Sequence, residues 1–305
     1  VRAGADALQV FVEWEERAGG LPRRRRAGLR HSGHAWEGRL DGEAVSQLGE
    51  LCAALAVVTF EPGSHALVTG AAETRRRYLD WGLFHVEPAF LRVWRRYNRA
   101  LKQRNALLKA GGGARQLDAW DHELVESGEL LSGHRAGYVA ALAAPLAALG
   151  EALTATVGRI DGGYAPGWRQ DEMPLADALL LARERDLAAG YTSVGPHRAD
   201  WKLGFSAVPG REALSRGQAK LVALAAILAQ AEHFAGTLGE WPVVALDDLA
   251  SELDRNHQAR VLDRLVASGA QVLVSGTETP AAVAQLGLVP RRFHVEHGAV
   301  HDLGG

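Results

Sequence analysis

Two short uncharged runs, Val243-Val244-Ala245-Leu246 and Gln271-Val272-Leu273-Val274, stand on either side of a helix-patterned segment over residues 256–267. Continuous apolar runs of this length are the pattern of strands buried on both faces of a parallel sheet. A strand–helix–strand order then closes a β–α–β unit. Such a sheet needs helices on both of its faces, so the expected class is α/β. The 305 residues allow about two domains at roughly 150 residues each, and burial of about three quarters of the unfolded surface. The one cysteine, Cys52, has no partner for an internal disulfide, which suits a reducing, cytoplasmic compartment. A net charge of −2 leaves any attraction to nucleic acid to local patches.

The pattern changes twice along the chain. Residues 1–72 alternate strand-like runs with turns: Leu8-Gln9-Val10-Phe11-Val12-Glu13-Trp14 and Val57-Val58-Thr59-Phe60 read as strands, and Arg39-Leu40-Asp41-Gly42 as a turn. The basic run over 23–26 reads as an exposed turn. Residues 73–189 are mainly helical. Leu83, Val86, Phe90, Trp94, Tyr97, Leu101 and Leu108 recur at helical spacing on one face. Gly111-Gly112-Gly113 ends that helix, a second runs over about 117–157, residues 161–167 form a loop, and a short helix follows over 175–187. Residues 190–305 return to α/β character, with a strand at 201–203, a long helix over 217–234, and a hairpin turning at His297-Gly298. The longest charge-free stretches, 138–150 and 221–231, are shorter than the ~20 apolar residues a membrane span requires, and read as buried helices.

Chemistry concentrates in Pro242-Val243-Val244-Ala245-Leu246-Asp247-Asp248-Leu249-Ala250-Ser251-Glu252-Leu253-Asp254. Two acids directly after a buried strand lie at the sheet edge where open α/β folds bind ligands. In phosphoryl transfer the first, Asp247, holds Mg²⁺, and the second, Asp248, orients or deprotonates water. The same pair can instead turn the chain and cap the next helix. Upstream, Leu214-Ser215-Arg216-Gly217-Gln218 opens the long helix. A hydroxyl, a glycine and an amide at a helix N-terminus make an anion site, and equally an ordinary serine cap.

The order Leu-Ser-Arg-Gly-Gln, apolar helix, strand, Asp-Asp, Ser-Glu-Leu-Asp resembles the signature motif, Walker B and D-loop of ABC-type ATPases. Arg75-Arg76-Arg77-Tyr78-Leu79-Asp80-Trp81-Gly82, Leu101-Lys102-Gln103-Arg104-Asn105 and Gly195-Pro196-His197-Arg198-Ala199-Asp200 narrow the resemblance to the RecF family of bacterial recombination-repair proteins, over nearly the whole chain. The resemblance implies an ABC-type P-loop NTPase lobe (residues 1–72 and 190–305) interrupted by a helical second lobe (73–189). It implies ATP and Mg²⁺ as cofactors, with Asp247 and Asp248 catalytic. Ser215, Arg216, Gly217, Gln218 and Asp254 would contact nucleotide held by the other subunit of an ATP-dependent head-to-tail homodimer. It also implies DNA, RecO and RecR as partners in loading RecA at single-strand gaps, within repair, replication and the SOS response. Another SMC- or Rad50-like ATPase would carry far longer heptad arms than residues 73–189 allow; a non-catalytic DNA- or protein-binding module is the other alternative.

A Walker A loop, G-x-x-x-x-G-K-[ST], is missing from these residues. The lysines, Lys102, Lys109, Lys202 and Lys220, follow Leu101, Leu108, Trp201 and Ala219, and none follows a glycine. The chain opens Val1-Arg2-Ala3-Gly4 without Met, and Met173 is its one methionine. The expectation is a fragment beginning downstream of the family's phosphate loop.

Between residues 75 and 109 there are ten basic residues and two acids. Arg92, Arg95, Arg99 and Lys102 are spaced as a stripe along one helix, a surface suited to tracking DNA phosphates, single-stranded or gapped. Trp94 reads as core, Trp81 and Trp120 as core or base-stacking. His294, His297 and His301 lack the carboxylate or cysteine set of a metal site. The Gly195-Pro196-His197-Arg198 segment has no mechanism legible from sequence. Without the phosphate loop these 305 residues are expected to bind ATP weakly and to release no phosphate from it. A phosphate-release assay checks this: turnover that Asp247→Ala abolishes would contradict it.

Overall fold

The computed structural model describes residues 5–18, 21–111 and 113–304. Gly112 of the expected helix break and the opening Val1-Arg2-Ala3-Gly4 lie outside the described residues. The chain divides into two compact units, Val1–Val57 and Val58–Gly305.

In the first unit, β1 (Leu8–Ala18), β2 (Leu21–His31), β3 (Trp36–Leu40) and β4 (Glu43–Val45) form an antiparallel meander, followed by α1 (Leu48–Ala54). Asp41 and Gly42 both have positive φ, the backbone of a two-residue hairpin turn, as the Asp-Gly pair suggests. The basic run is not a turn. Arg23, Arg24, Arg25 and Arg26 lie inside β2, in register with residues Glu16, Glu15, Trp14 and Glu13 of β1. Arg24 pairs with Glu13, and Arg25 donates to Asp41 at 3.0 Å while its guanidinium lies 5.6 Å from the Trp14 ring centre. Acids one strand away supply counter-charges that a linear reading of four arginines misses.

The second unit comprises β5 (Val57–Phe60), α2 (Ala66–Thr69), α3 (Ala72–Val86), α4 (Phe90–Lys109), α5 (Ala114–Leu153), β6 (Ile160–Ala165), α6 (Leu175–Ala189) and β7 (Asp200–Phe205). It continues with α7 (Arg216–Leu238), β8 (Val243–Asp247), α8 (Leu249–Glu252), α9 (Arg255–Ser268), β9 (Val272–Ser275), α10 (Ala281–Gln285) and the hairpin β10 (Arg292–Glu296) and β11 (Ala299–Gly304). Strands β5, β8 and β9 form a sheet in that order, and β8 and β9 are parallel. The expected β–α–β unit is therefore present. The expected burial on both faces is met on one face of β8 alone: Val244 and Leu246 are buried, Val243 and Ala245 on the other face are half-buried, and in β9 Leu273 is 54% exposed. As the last strand in the described order, β9 lacks a neighbour on one side.

The core is organised on α7, buried from Val222 through Ala231, the all-round burial of a central helix. Tyr78 on α3 donates to the Ala226 carbonyl at 2.6 Å and stacks on Trp201 of β7 with ring centres 5.1 Å apart. Gly82 makes room for α5, since a Cβ there would lie 1.9 Å from the Tyr138 hydroxyl. By length and composition alone, Arg115–Leu153 and Arg216–Leu238 are long and apolar enough to cross a membrane, although 61% of the most apolar window of the latter is buried here.

Two sequence expectations need correction. The single helical face over 83–108 is split between α3 and α4 at Glu87-Pro88-Ala89, because proline disfavours a helical conformation in the residue before it. The expected loop at 161–167 is mostly strand: β6 pairs antiparallel with β7, Asp161 opposite Gly204 and Tyr164 opposite Trp201. Glycines at 162 and 163 suggested a loop, but Gly162 is needed because the Trp201 indole nitrogen would lie 2.3 Å from any Cβ there.

Three arginines tie distant segments together. Arg75 donates to Asp200 at 2.6 Å and to the Gly70 carbonyl at 2.8 Å. Arg135 on α5 forks onto Asp80 of α3 at 2.8 and 2.9 Å, and reaches the Pro196 carbonyl at 2.7 Å. Arg104, fully buried on α4, holds Asp121 of α5 at 2.5 Å, Asp186 of α6 at 2.7 Å and the Thr192 hydroxyl at 2.9 Å. Arg75 and Arg104 are thus core residues, not members of the basic surface. Removing one partner of a buried ion pair leaves the other charged and dry. Arg104→Ala should therefore lower unfolding stability by about 3–5 kcal/mol, read by urea titration. Arg104→Lys should recover only part of it, since an ammonium cannot reproduce the guanidinium's forked contacts.

Candidate functional site

The acid pair sits where β8 ends. Asp247 is the last strand residue, in register with Ser275 at the end of β9, whose hydroxyl donates to Asp247 Oδ1 at 2.5 Å. Asp248 is the next residue and leaves the strand in a left-handed conformation, φ 55° and ψ 32°, which Asp tolerates better than most non-glycine residues. Its amide donates to the Ser275 carbonyl at 2.8 Å. This turn starts α8: the Asp248 carbonyl accepts from the amides of Ser251 and Glu252. Asp247 is exposed and Asp248 half-buried, so the pair faces outward from the sheet edge. Ser275 was missed by sequence reasoning. Its signal was present, a small hydroxyl closing the parallel partner strand, but it required the register.

The Ser215 segment forms the N-terminus of α7 and uses its side chains for capping. Ser215 Oγ accepts from the Gln218 amide at 3.2 Å, and Gln218 Oε1 accepts from the Ser215 amide at 2.9 Å, a reciprocal capping box. Gln218 Nε2 reaches Thr156 Oγ1 at 3.3 Å. Arg216 and Gly217 are exposed in the first turn. Lys220, one turn along, pairs with Glu252 of α8 at 2.6 Å and so links this helix to the one that follows the acid pair. Neither residue was singled out from sequence. Asp254 caps α9, accepting from the amides of Asn256 and His257 at 2.9 and 3.0 Å. Those contacts, led by the His257 amide, hold its carboxyl below the usual range.

On α4, Arg92, Arg95, Arg99 and Lys102 are all exposed, along the helix face opposite buried Val93, Tyr97, Ala100 and Arg104. Arg96 is diverted to Glu123 and Glu126 of α5. The Trp94 indole donates to Asp80 at 3.1 Å, and Trp81 and Trp120 pack against the core. Among the described residues no group of three or more His, Cys, Asp or Glu side chains is placed to hold a metal ion.

The Gly195-Pro196-His197-Arg198 segment acquires a physical role. A short 3₁₀ turn, Pro196–Arg198, starts from Gly195 at φ 121°, a conformation that glycine alone adopts readily. Its carbonyls are held by Arg135 on Pro196 and by Arg76 on Ala199, the latter at 2.7 Å. His197 Nε2 donates to the Thr192 carbonyl at 2.9 Å, and its Nδ1 accepts from the Tyr97 hydroxyl at 2.7 Å. Those two bonds suit the neutral ring. Burial, with Arg198 and Arg76 nearby, pushes His197 down to about 4.

Comparison with known proteins bears on this geometry. No protein-family model matches the chain. DNA replication and repair protein RecF of Stenotrophomonas maltophilia is 65% identical over 301 residues, covering 98% of this chain and 82% of the relative. RecF of Xanthomonas euvesicatoria is 63% identical over 301 residues with the same coverages, and RecF of Thioalkalivibrio sulfidiphilus 38% over 295 residues, covering 97% and 81%. Among solved structures, the recombination mediator protein RecF with ATP, of the RecFOR pathway, superposes with TM-score 0.84 at 23% identity, covering all of this chain and 82% of that one. An Smc head domain from Pyrococcus furiosus gives TM-score 0.53 at 12% identity, covering 98% and 78%. These likenesses show the fold, the α/β architecture shared by RecF and, more distantly, an Smc head domain.

Neutral His197 makes stability depend on pH. Its folded pKa is depressed, so below the unfolded value of about 6.5 the unfolded chain takes up the proton first and stability falls as pH drops towards 4. His197 contributes at most about 3 kcal/mol of this loss. His85, pushed by burial to about 4, adds a parallel loss. Urea midpoints at pH 7 and pH 5 should differ less for His197→Gln than for the parent chain.

Proposed function

Since the chain belongs to the RecF family of DNA replication and repair proteins, we propose that it acts as the nucleotide-switched DNA-binding component of recombinational repair, replication and the SOS response. Its partners in this reading are RecO and RecR, together loading RecA at single-strand gaps in the cytoplasm. The observation that carries the reading is the presence, within one compact unit, of an outward-facing acid pair at a parallel-strand end and a cationic stripe on α4. The first suits a metal–phosphate centre and the second a DNA backbone.

The residues present fit Mg²⁺. Asp247 is exposed and oriented by Ser275, and Mg²⁺ takes one or two carboxylates together with phosphate oxygens rather than a cage made wholly of protein. The ion would neutralise charge building on the transferred phosphoryl group. Asp248, held beside it by the left-handed turn, would orient the attacking water. ATP would be held at a phosphate loop, for which these 305 residues offer no glycine–lysine step. The exposed N-terminus of α7, Ser215 to Gln218, with Asp254, would close on it from the second subunit of a homodimer. We assign the ATPase lobe to residues 1–72 and 190–305 and the helical lobe to 73–189. A non-catalytic DNA-binding role for these 305 residues is the second reading, favoured by the lack of a lysine after glycine anywhere in them.

DNA contact through α4 has a direct test. If Arg92, Arg95, Arg99 and Lys102 each neutralise one phosphate, the slope of log affinity against log salt on duplex DNA should be about −3.6. Exchanging the three arginines for glutamate should weaken binding by at least about tenfold and flatten the slope to about −0.9 or less. Fluorescence anisotropy over a salt series reads both; unchanged affinity would remove α4 from the interface.

A further inference from the structure

We propose that the surface between the C-terminal half of α4 and the loop following α6 receives an unpaired nucleotide of a DNA strand, its base stacked on Tyr191 and its phosphate on the surrounding cations. This rests on the reading that the chain binds DNA, and it names which part of a gapped substrate the helical region takes.

Tyr191 is 47% exposed. The guanidinium of Arg198 lies 5.2 Å from its ring centre, which places a planar cation against the aromatic ring. Its hydroxyl makes no hydrogen bond to the described residues. The chain bearing it is fixed on both sides. Gly190 caps α6 in a left-handed turn, φ 74°, and packs near the Lys109 stem, which would lie 3.5 Å from a Cβ at that position. Thr192 gives its amide and its hydroxyl to Asn105 Oδ1 at 2.8 and 2.7 Å. The ring is therefore presented on a rigid base, so ordering it on binding costs little.

Beside this segment, α4 carries a shallow cleft of about 540 Å³ lined by Asn98, Leu101, Lys102, Asn105, Ala106 and Lys109. Two of the four lysines in this arginine-rich chain line it. Arg185, held by the Ser193 hydroxyl at 2.6 and 3.0 Å, and Arg198 are also exposed, so this surface of α4, α6 and the loop after it carries four accessible cations, of which Arg198 lies against the Tyr191 ring. The acids nearby do not cancel them: Asp186 is fully buried and engaged by Arg104 and Ser193, leaving Glu184 as the exposed acid on that end of α6.

An exposed ring amid cations is the arrangement with which proteins take single strands: the backbone follows the charge and the base stacks, and stacking tolerates any sequence. A paired base offers no free face, so the ring selects against duplex. Lys102 belongs both to the cleft and to the Arg92–Arg95–Arg99 stripe. Duplex phosphates on the stripe and an unpaired base on Tyr191 would therefore meet at Lys102, the geometry of a junction where duplex gives way to a gap.

The test uses the full 305-residue chain with an oligo-dT strand, a blunt duplex of equal length, and a duplex with a single-stranded extension, followed by anisotropy. Tyr191→Ala should weaken binding of the oligo-dT and the extended duplex about 5- to 150-fold and leave the blunt duplex unchanged. Tyr191→Phe should bind all three like the parent, and unchanged urea midpoints would exclude a folding defect. A 2-aminopurine in the extension should be quenched by the parent and by the Phe variant, but not by the Ala variant. Equal losses on all three DNAs, or no loss on any, would overturn the proposal. Insensitivity to the α4 arginine exchange together with an intact Tyr191 effect would overturn the stripe alone, whereas a parent chain that binds none of the three would sink both.

Discussion

The helical region depends on a guanidinium out of water. Arg104 carries its charge into a fully buried position and meets Asp121, Asp186 and Thr192, contributed by α5, α6 and the loop after it. Such a cluster is costly to assemble, because each ion must be desolvated, and it tolerates few alternative arrangements. Apolar contacts between helices can slide by a fraction of a turn at modest cost, whereas a forked guanidinium between two carboxylates cannot. Arg135 on Asp80 and Arg75 on Asp200 repeat the device where α3 meets α5 and β7. These pins fix the registers at which α3, α4, α5 and α6 pack, and hence the side chains that face outward.

The same pins converge on the 3₁₀ turn at Pro196–Arg198. Its carbonyls take donors from α3 and α5, and its histidine accepts from Tyr97 on α4. The next residues begin β7, which pairs with β6 and carries the Trp201 that stacks on Tyr78. A rotation of α4 would therefore strain the Tyr97–His197 bond and, through Thr192, the Arg104 cluster. Both networks tie α4 to the elements around it through several directional bonds, although Nη2 of Arg104 is buried without a partner.

What the sequence made legible follows from where the physics is local. The parallel unit around Val243–Asp247 was readable because a continuous apolar run ending in two acids has few other uses, and the Asp41-Gly42 turn because positive φ demands such residues. The Arg23–Arg26 run was misread since its neutralising partners lie one strand away, at Glu13, Glu16 and Asp41. Residues 161–165 were misread because the glycine there answers to the Trp201 indole and not to chain flexibility. In the candidate site the acids were found but Ser275 was not, because its relation to Asp247 exists only across the β8–β9 register. Arg75 and Arg104 were counted as surface charge because nothing local distinguishes an arginine that will meet carboxylates far along the chain.

That last error points to a general property of this arginine-rich chain. The helical pattern of α4 assigns one face to the core and the other to solvent, yet both faces carry guanidinium groups, and only the partners decide their roles. Arg104 is neutralised by Asp121 and Asp186, and Arg96 by Glu123 and Glu126. Helices α5 and α6 spend these carboxylates chiefly on Arg104 and Arg96, although Glu123 also feels the charge of Arg99; Arg92, Arg99 and Lys102 stay exposed. The internal ion pairs thus do more than hold helices together. By engaging acids at defined positions, they leave Arg92 and Lys102 exposed on the outward face of α4, where a phosphate backbone can reach them in a molecule whose net charge is −2.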